Sequence, residues 1–99
     1  RAGITGYDLD AAAREYIESK GYGKAFGHSL GHGVGMEIHE FPNASPMQKN
    51  TILEENNIVT VEPGIYIPEE FGVRIEDFVV IKHDGCFNMT NAEKKLIIL

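Results

Sequence analysis

The sequence predicts an α+β fold, and two observations carry that prediction. Leu9, Ala12, Ala13, Tyr16 and Ile17 recur at the i, i+3, i+4, i+7, i+8 spacing of one buried helical face. After residue 57 the chain turns to β-branched runs broken by Pro and Gly, the pattern of short antiparallel strands.

The elements follow in order. Residues 1–7 read as a turn-like lead-in with Gly3 and Gly6. Asp8 is expected to cap a helix over 8–20, its carboxylate accepting from free N–H groups of the first turn. Gly21 ends that helix, with Lys20 in its last turn. Residues 27–40 hold three of the four histidines and four of the eleven glycines, which rule out a stable helix there. Residues 36–41 are expected as a short strand, and 41–46, with two prolines, as a loop. The polar stretch 47–57 reads as surface. Residues 58–62 read as a strand, interrupted by Pro63-Gly64 and resumed at 65–67. Residues 73–81 read as one further strand, closed by a tight turn at Asp84-Gly85. Thr90-x-x-Glu93 matches a capping box, and Leu96 to Leu99 reads as a last apolar strand.

Composition narrows the function. Ninety-nine residues make one domain at most, and nine basic against fifteen acidic residues give a formal charge of −6. That balance argues against a nucleic-acid or anionic-membrane partner. No apolar run approaches the roughly 20 residues of a membrane helix. Cys86 is the single cysteine, so no intrachain disulfide forms, in keeping with a cytoplasmic location.

The chemistry-bearing residues are the histidines of 27–40 and two acidic segments, Glu62-Pro63-Gly64 and Arg74-Ile75-Glu76-Asp77. Histidine ligates metals and moves protons near neutral pH. Glu62 and Glu76 each sit on an expected strand in an apolar neighbourhood, where a carboxylate is costly unless paired or bound to a cation. A structural Arg74–Glu76 pair at a sheet edge is the competing reading. On a straight strand His32 and His39 would face opposite ways, about 23 Å apart at roughly 3.3 Å per residue. If they serve one site, the glycines after His32 must bend the chain. His83, beside the Asp84-Gly85 turn, reads as an ordinary surface histidine. The helical zinc motif H-E-x-x-H, the dinucleotide fingerprint, the P-loop and the nucleophile elbow are all absent.

Three motifs together carry a resemblance: His28-x-x-Gly31-His32-Gly33-Val34-Gly35-x-Glu37-x-His39-Glu40, Thr60-Val61-Glu62-Pro63-Gly64-Ile65-Tyr66, and Val73-Arg74-Ile75-Glu76-Asp77. In this order and spacing the chain resembles the pita-bread metallopeptidases, and within them Xaa-Pro dipeptidases and aminopeptidases P. The resemblance implies a site for two divalent metal ions, manganese first, with cobalt or zinc as alternatives. It implies that His32, Glu62 and Glu76 are metal ligands, Glu76 bridging both ions. It gives Glu62 a second part in handling the proton of the attacking water. His28 and His39 are implied to contact substrate and stabilise the tetrahedral intermediate, with Arg74 standing behind the ligands. The implied substrate is a peptide with proline at its second position.

The family takes two further ligands, both aspartates, from an earlier half of the catalytic domain, and Asp8 and Asp10 do not match them. Residues 1–99 are therefore expected to be the C-terminal half of a pita-bread catalytic domain. Such a half is expected to be inactive alone, and its uncovered apolar face to favour a homo-oligomer. The alternatives are a non-catalytic pita-bread module that binds peptides or proteins, and methionine aminopeptidase or creatinase-like chemistry on the same fold.

Overall fold

A computed structural model describes residues 1–99. It is α+β, as expected: one helix, α1 (Gly6–Ser19), a short 3₁₀ turn (Gly23–Ala25), and seven strands. These are β1 (Gly31–Gly33), β2 (Glu40–Ala44), β3 (Ile58–Val61), β4 (Gly64–Ile67), β5 (Phe71–Arg74), β6 (Asp77–Ile81) and β7 (Cys86–Asn88). A five-stranded sheet runs β2-β1-β3-β6-β7, and β4-β5 form a separate hairpin. Every pairing is antiparallel.

Helix α1 begins two residues earlier than expected, because Thr5 rather than Asp8 is its N-cap. The Thr5 hydroxyl accepts from the Asp8 amide at 3.0 Å, and the Asp8 carboxylate accepts from the Thr5 amide at 2.8 Å. Asp8 thus closes a reciprocal capping box from the third helical position. These bonds from Thr5 hold the Asp8 carboxyl below its ordinary value. A carboxylate depressed in the folded state adds stability above its unfolded value, and that stability fades as pH falls through the folded one. Thr5→Ala is expected to cost about 1 kcal/mol in denaturant unfolding, the usual loss of an N-cap. The helix ends with Lys20 as C-cap and Gly21 at φ +86°, a left-handed conformation that glycine adopts without strain. Its buried face differs from the expected one: Ile17 is buried, but Tyr16 is 65% exposed and Asp10 takes a core position.

Two apolar clusters make the core. Ile17, Phe26, Leu30 and Ala44 join the helix to β1 and β2, while Leu53, Val59, Val79 and Ile81 lie on one face of β3 and β6. Leu9 and Val61 touch both clusters and weld them into one. The alternation expected for 58–62 holds, since Val59 pairs with Val79 on the core side. Leu53 corrects the reading of 47–57 as surface: it is fully buried, and its backbone bonds to Gly3 and Ile4.

Three strand expectations and one helical turn fail. Residues 35–39 form bends, and the strand here is Glu40–Ala44, running through Pro42. A proline fits because β2 is the sheet's edge, where its missing N–H costs no ladder bond. The expected strand 73–81 divides into β5, paired with β4, and β6, paired with β3. Thr90 and Glu93 start no helical turn: the Thr90 hydroxyl accepts instead from the Phe78 amide at 2.9 Å. Leu96 to Leu99 is exposed and pairs with no strand. The Asp84-Gly85 turn does form, and it folds β7 back on β6 with Ile81 opposite Cys86. No helix is long and apolar enough to cross a membrane.

Candidate metal centre

The split in the second acidic segment places both glutamates. Val61 pairs with Asp77 at the end of one ladder, and Gly64 with Arg74 at the start of the other. These pairs share one register, so Glu62 falls opposite Glu76 where the chain crosses between sheets. Pro63 sits in that crossing, its carbonyl accepting from the Ile75 amide at 3.3 Å. Two carboxylates in cross-strand register repel unless a cation or proton stands near them.

His32 reaches the same junction from β1. Gly31 lies so close to β3 that a Cβ on it would collide with the Thr60 carbonyl. That approach lets the buried Thr60 hydroxyl accept from the His32 amide at 3.0 Å, while the Glu62 amide donates to the Leu30 carbonyl at 2.8 Å. The His32 ring is fixed as well. Its Nδ1 lies 2.9 Å from the Gly33 carbonyl, which can only accept, so Nδ1 carries the proton. In the neutral ring Nε2 then presents a lone pair, and it stands 3.5 Å from Glu62 Oε2 with both side chains 17% exposed. A lone pair facing a carboxylate is an arrangement that invites a cation between them, and a backbone carbonyl fixing the outer nitrogen is the usual support of a histidine ligand. These residues fit a divalent metal.

The glycine-rich bend also forms. The chain turns back over 34–39, and the His39 ring lies 4.2 Å from the His32 ring, centre to centre. His28 is held at both nitrogens: Nδ1 donates to the Ser29 carbonyl at 2.7 Å, and Nε2 meets the Tyr66 hydroxyl at 2.7 Å. His28, His32, Glu62 and Arg74 line one open cleft of about 580 Å³, with Asn43 and Gln48 on its wall. Glu76 and His39 stand outside that lining. Glu76 instead faces Arg74 at 3.7 Å, the pair anticipated as the competing reading. No three His, Cys, Asp or Glu side chains of this chain converge as a complete ligand set. His83 is exposed at its turn, as expected.

Several residues of this region carry no role that the sequence marks. Thr60 hides in a β-branched run, and nothing in the sequence marks Tyr66 as the partner of His28. Asp10 and Arg14 were legible in principle as an i,i+4 acid–base pair on a helix.

The family model for metallopeptidase family M24 matches residues 1–83. The chain belongs to that family. Among relatives of this M24 chain, an uncharacterized peptidase of Bacillus subtilis is 54% identical over all 99 residues. The Xaa-Pro dipeptidase of Pyrococcus furiosus is 50% identical over 97 residues, 98% of this chain. In each case the chain spans about 28% of the relative's length. Of solved structures, the Xaa-Pro dipeptidase from Bacillus anthracis superposes at TM-score 0.97 with 52% identity, over the whole chain and 28% of that structure. The X-Pro aminopeptidase from Thermotoga maritima superposes at 0.95 with 49% identity, again over the whole chain and 28% of that structure. The M24 chain therefore carries part of the pita-bread fold. A likeness to the N-terminal domain of FACT complex subunit SPT16 from Eremothecium gossypii, at TM-score 0.83 and 19% identity, shows the fold alone.

Proposed function

We propose that residues 1–99 form the C-terminal part of the catalytic domain of a two-metal peptidase. It hydrolyses the bond between an N-terminal residue and proline, as a dipeptidase or an aminopeptidase. The observation that carries this reading is the His32 Nε2 lone pair set against Glu62 Oε2 at 3.5 Å, in a cleft shared with His28 and Arg74. The relatives named Xaa-Pro dipeptidase support the substrate class.

In this reading His32, Glu62 and Glu76 hold two divalent ions together with ligands from the rest of the domain. Bound there, such ions lower the pKa of water and polarise the scissile carbonyl. Glu62 takes the proton of the attacking water on its carboxylate and returns it to the departing proline nitrogen. His28 and His39 face the substrate: the His39 ring lies beside His32, tilted by 49°, and His28 is oriented by the Ser29 carbonyl and the Tyr66 hydroxyl. Arg74 faces Glu76 at 3.7 Å and helps to orient its carboxylate. Manganese suits a set rich in carboxylate oxygen, with cobalt or zinc as substitutes. We place the protein in the cytoplasm, where its free Cys86 stays reduced. We expect a homo-oligomer, because Phe71, Val73 and Ile75 leave the β5 region with an exposed apolar face.

The test is turnover of Xaa-Pro dipeptides and longer Xaa-Pro peptides with added manganese. The full-length protein is expected to release the N-terminal residue, and the isolated 99 residues to show no turnover. Robust activity from the isolated chain would show that three ligands suffice. A full-length protein that binds proline peptides without cleaving them would favour the non-catalytic module.

A further inference from the structure

The segment that carries His28 has no regular structure of its own. It runs from Phe26 to Leu30, between the 3₁₀ turn and β1. Its polar backbone groups must still be satisfied where they are buried. Three of them are satisfied from α1, by two residues outside the metal centre. Asp10 is a carboxylate only 1% exposed. Its Oδ2 accepts from Arg14 Nε at 2.7 Å, and its Oδ1 from Arg14 Nη2 at 3.0 Å, a two-pronged pair. Oδ1 also accepts from the Leu30 amide at 2.9 Å. Arg14 spends its remaining reach on the same segment: Nη1 donates to the Phe26 carbonyl at 3.0 Å and Nη2 to the His28 carbonyl at 2.8 Å. The guanidinium also lies 4.3 Å over the Phe26 ring.

A buried ion pair is a weak source of stability, and an apolar pair of similar volume often does as well. What an apolar pair cannot do is grip three backbone groups of one loop at fixed distances. The grip brackets His28: one bond lies at Phe26, one on His28 itself, and one at Leu30. Two residues beyond Leu30 stands His32.

We propose that Asp10 and Arg14 are positioning residues for this cleft, a helix-borne pair that sets the backbone of 26–30 and through it the place of the His28 ring. Neither touches the reacting atoms. A lysine at 14 retains the charge but not the planar fork, so it cannot hold both Asp10 oxygens and two carbonyls at once. The part of the proposal that concerns turnover rests on the peptidase reading above; the part that concerns the loop does not.

The experiment uses full-length Arg14→Lys and Asp10→Ala. The first readout needs no turnover. Amide hydrogen exchange at Leu30 is expected to quicken at least tenfold in Asp10→Ala, which removes the acceptor of that amide, while the β3–β6 amides keep wild-type rates. The second is kinetics on an Xaa-Pro dipeptide, normalised to folded, manganese-loaded protein. In Arg14→Lys, kcat is expected to fall about 10–100-fold, the usual loss when a group supporting an active-site residue is removed, with KM changed less than threefold. A purely structural pair would lower the melting temperature and leave normalised kcat unchanged, which would overturn the proposal. So would Leu30 exchange that quickens only in step with β3 and β6. If wild-type protein cleaves no Xaa-Pro peptide, the functional reading falls, and Leu30 exchange still decides whether the pair grips the loop.

Discussion

In the full-length protein, His32→Ala is expected to lower kcat/KM on Xaa-Pro dipeptides by more than a hundredfold and to reduce bound manganese. Removing an outer partner of a metal ligand already costs about 10–100-fold, and we propose His32 as a ligand itself. A hundredfold loss corresponds to about 2.7 kcal/mol of transition-state stabilisation. The direction follows from the ring's geometry. The Gly33 carbonyl accepts from the Nδ1–H, so Nε2 is free to bind, and it points at Glu62. Glu62→Gln makes the complementary test, since it keeps volume and removes charge. It should lose turnover more than metal, because a glutamine amide still offers an oxygen but accepts no proton from water. Glu76→Gln should weaken metal binding in calorimetry, because it removes half of the opposed carboxylate pair. Unchanged manganese content in both His32→Ala and Glu76→Gln would remove these residues from the metal centre.

The residues gathered at this site are easier to see in the sequence than the way they are brought together. Histidines among glycines, and carboxylates beside Pro63 and Arg74, are visible because such residues are expensive in apolar strands without a reason. The need for a bend after His32 was also visible, since a straight strand separates the two rings. How the bend is built was not. It depends on β2 returning along β1 with Gly33 opposite Glu40, a tertiary pairing with no local mark. The division of 73–81 was hidden for a related reason. Its residues are good strand formers throughout, and the break arises only because the partner strand is itself interrupted at Pro63. The helix was found and its cap misplaced by three residues, because Thr5 and Asp8 are both good caps and only their reciprocal bonds rank them. Asp10 carries no mark in the sequence, because a carboxylate at the start of a helix usually faces water. Here it faces the loop it holds.

Gly31→Ala is expected to be the most damaging single-methyl addition in the chain, destabilising it by about 3 kcal/mol, the upper end of the usual range for overpacking. The added carbon would meet the carbonyl, carbonyl carbon and hydroxyl of Thr60. None of these can yield cheaply. Thr60 is fully buried, and β3 is fixed between β1 on one side and β6 on the other. The side that gives is β1 with the edge strand β2, since β3 has two further strands behind it, and β1 carries His32. Relief of the collision would stretch the His32 amide bond to Thr60 and shift Nε2 away from Glu62. The substitution should thus lower both the urea midpoint and the turnover of whatever protein remains folded. Gly85→Ala supplies the contrast, since a Cβ there meets nothing within 4 Å. It should leave the midpoint within about 1 kcal/mol of wild type, because replacing an unstrained glycine mainly restricts the unfolded chain. Equal midpoints for the two variants would mean that β1 is not pressed against β3. The placement of His32 beside Glu62 would then need another cause.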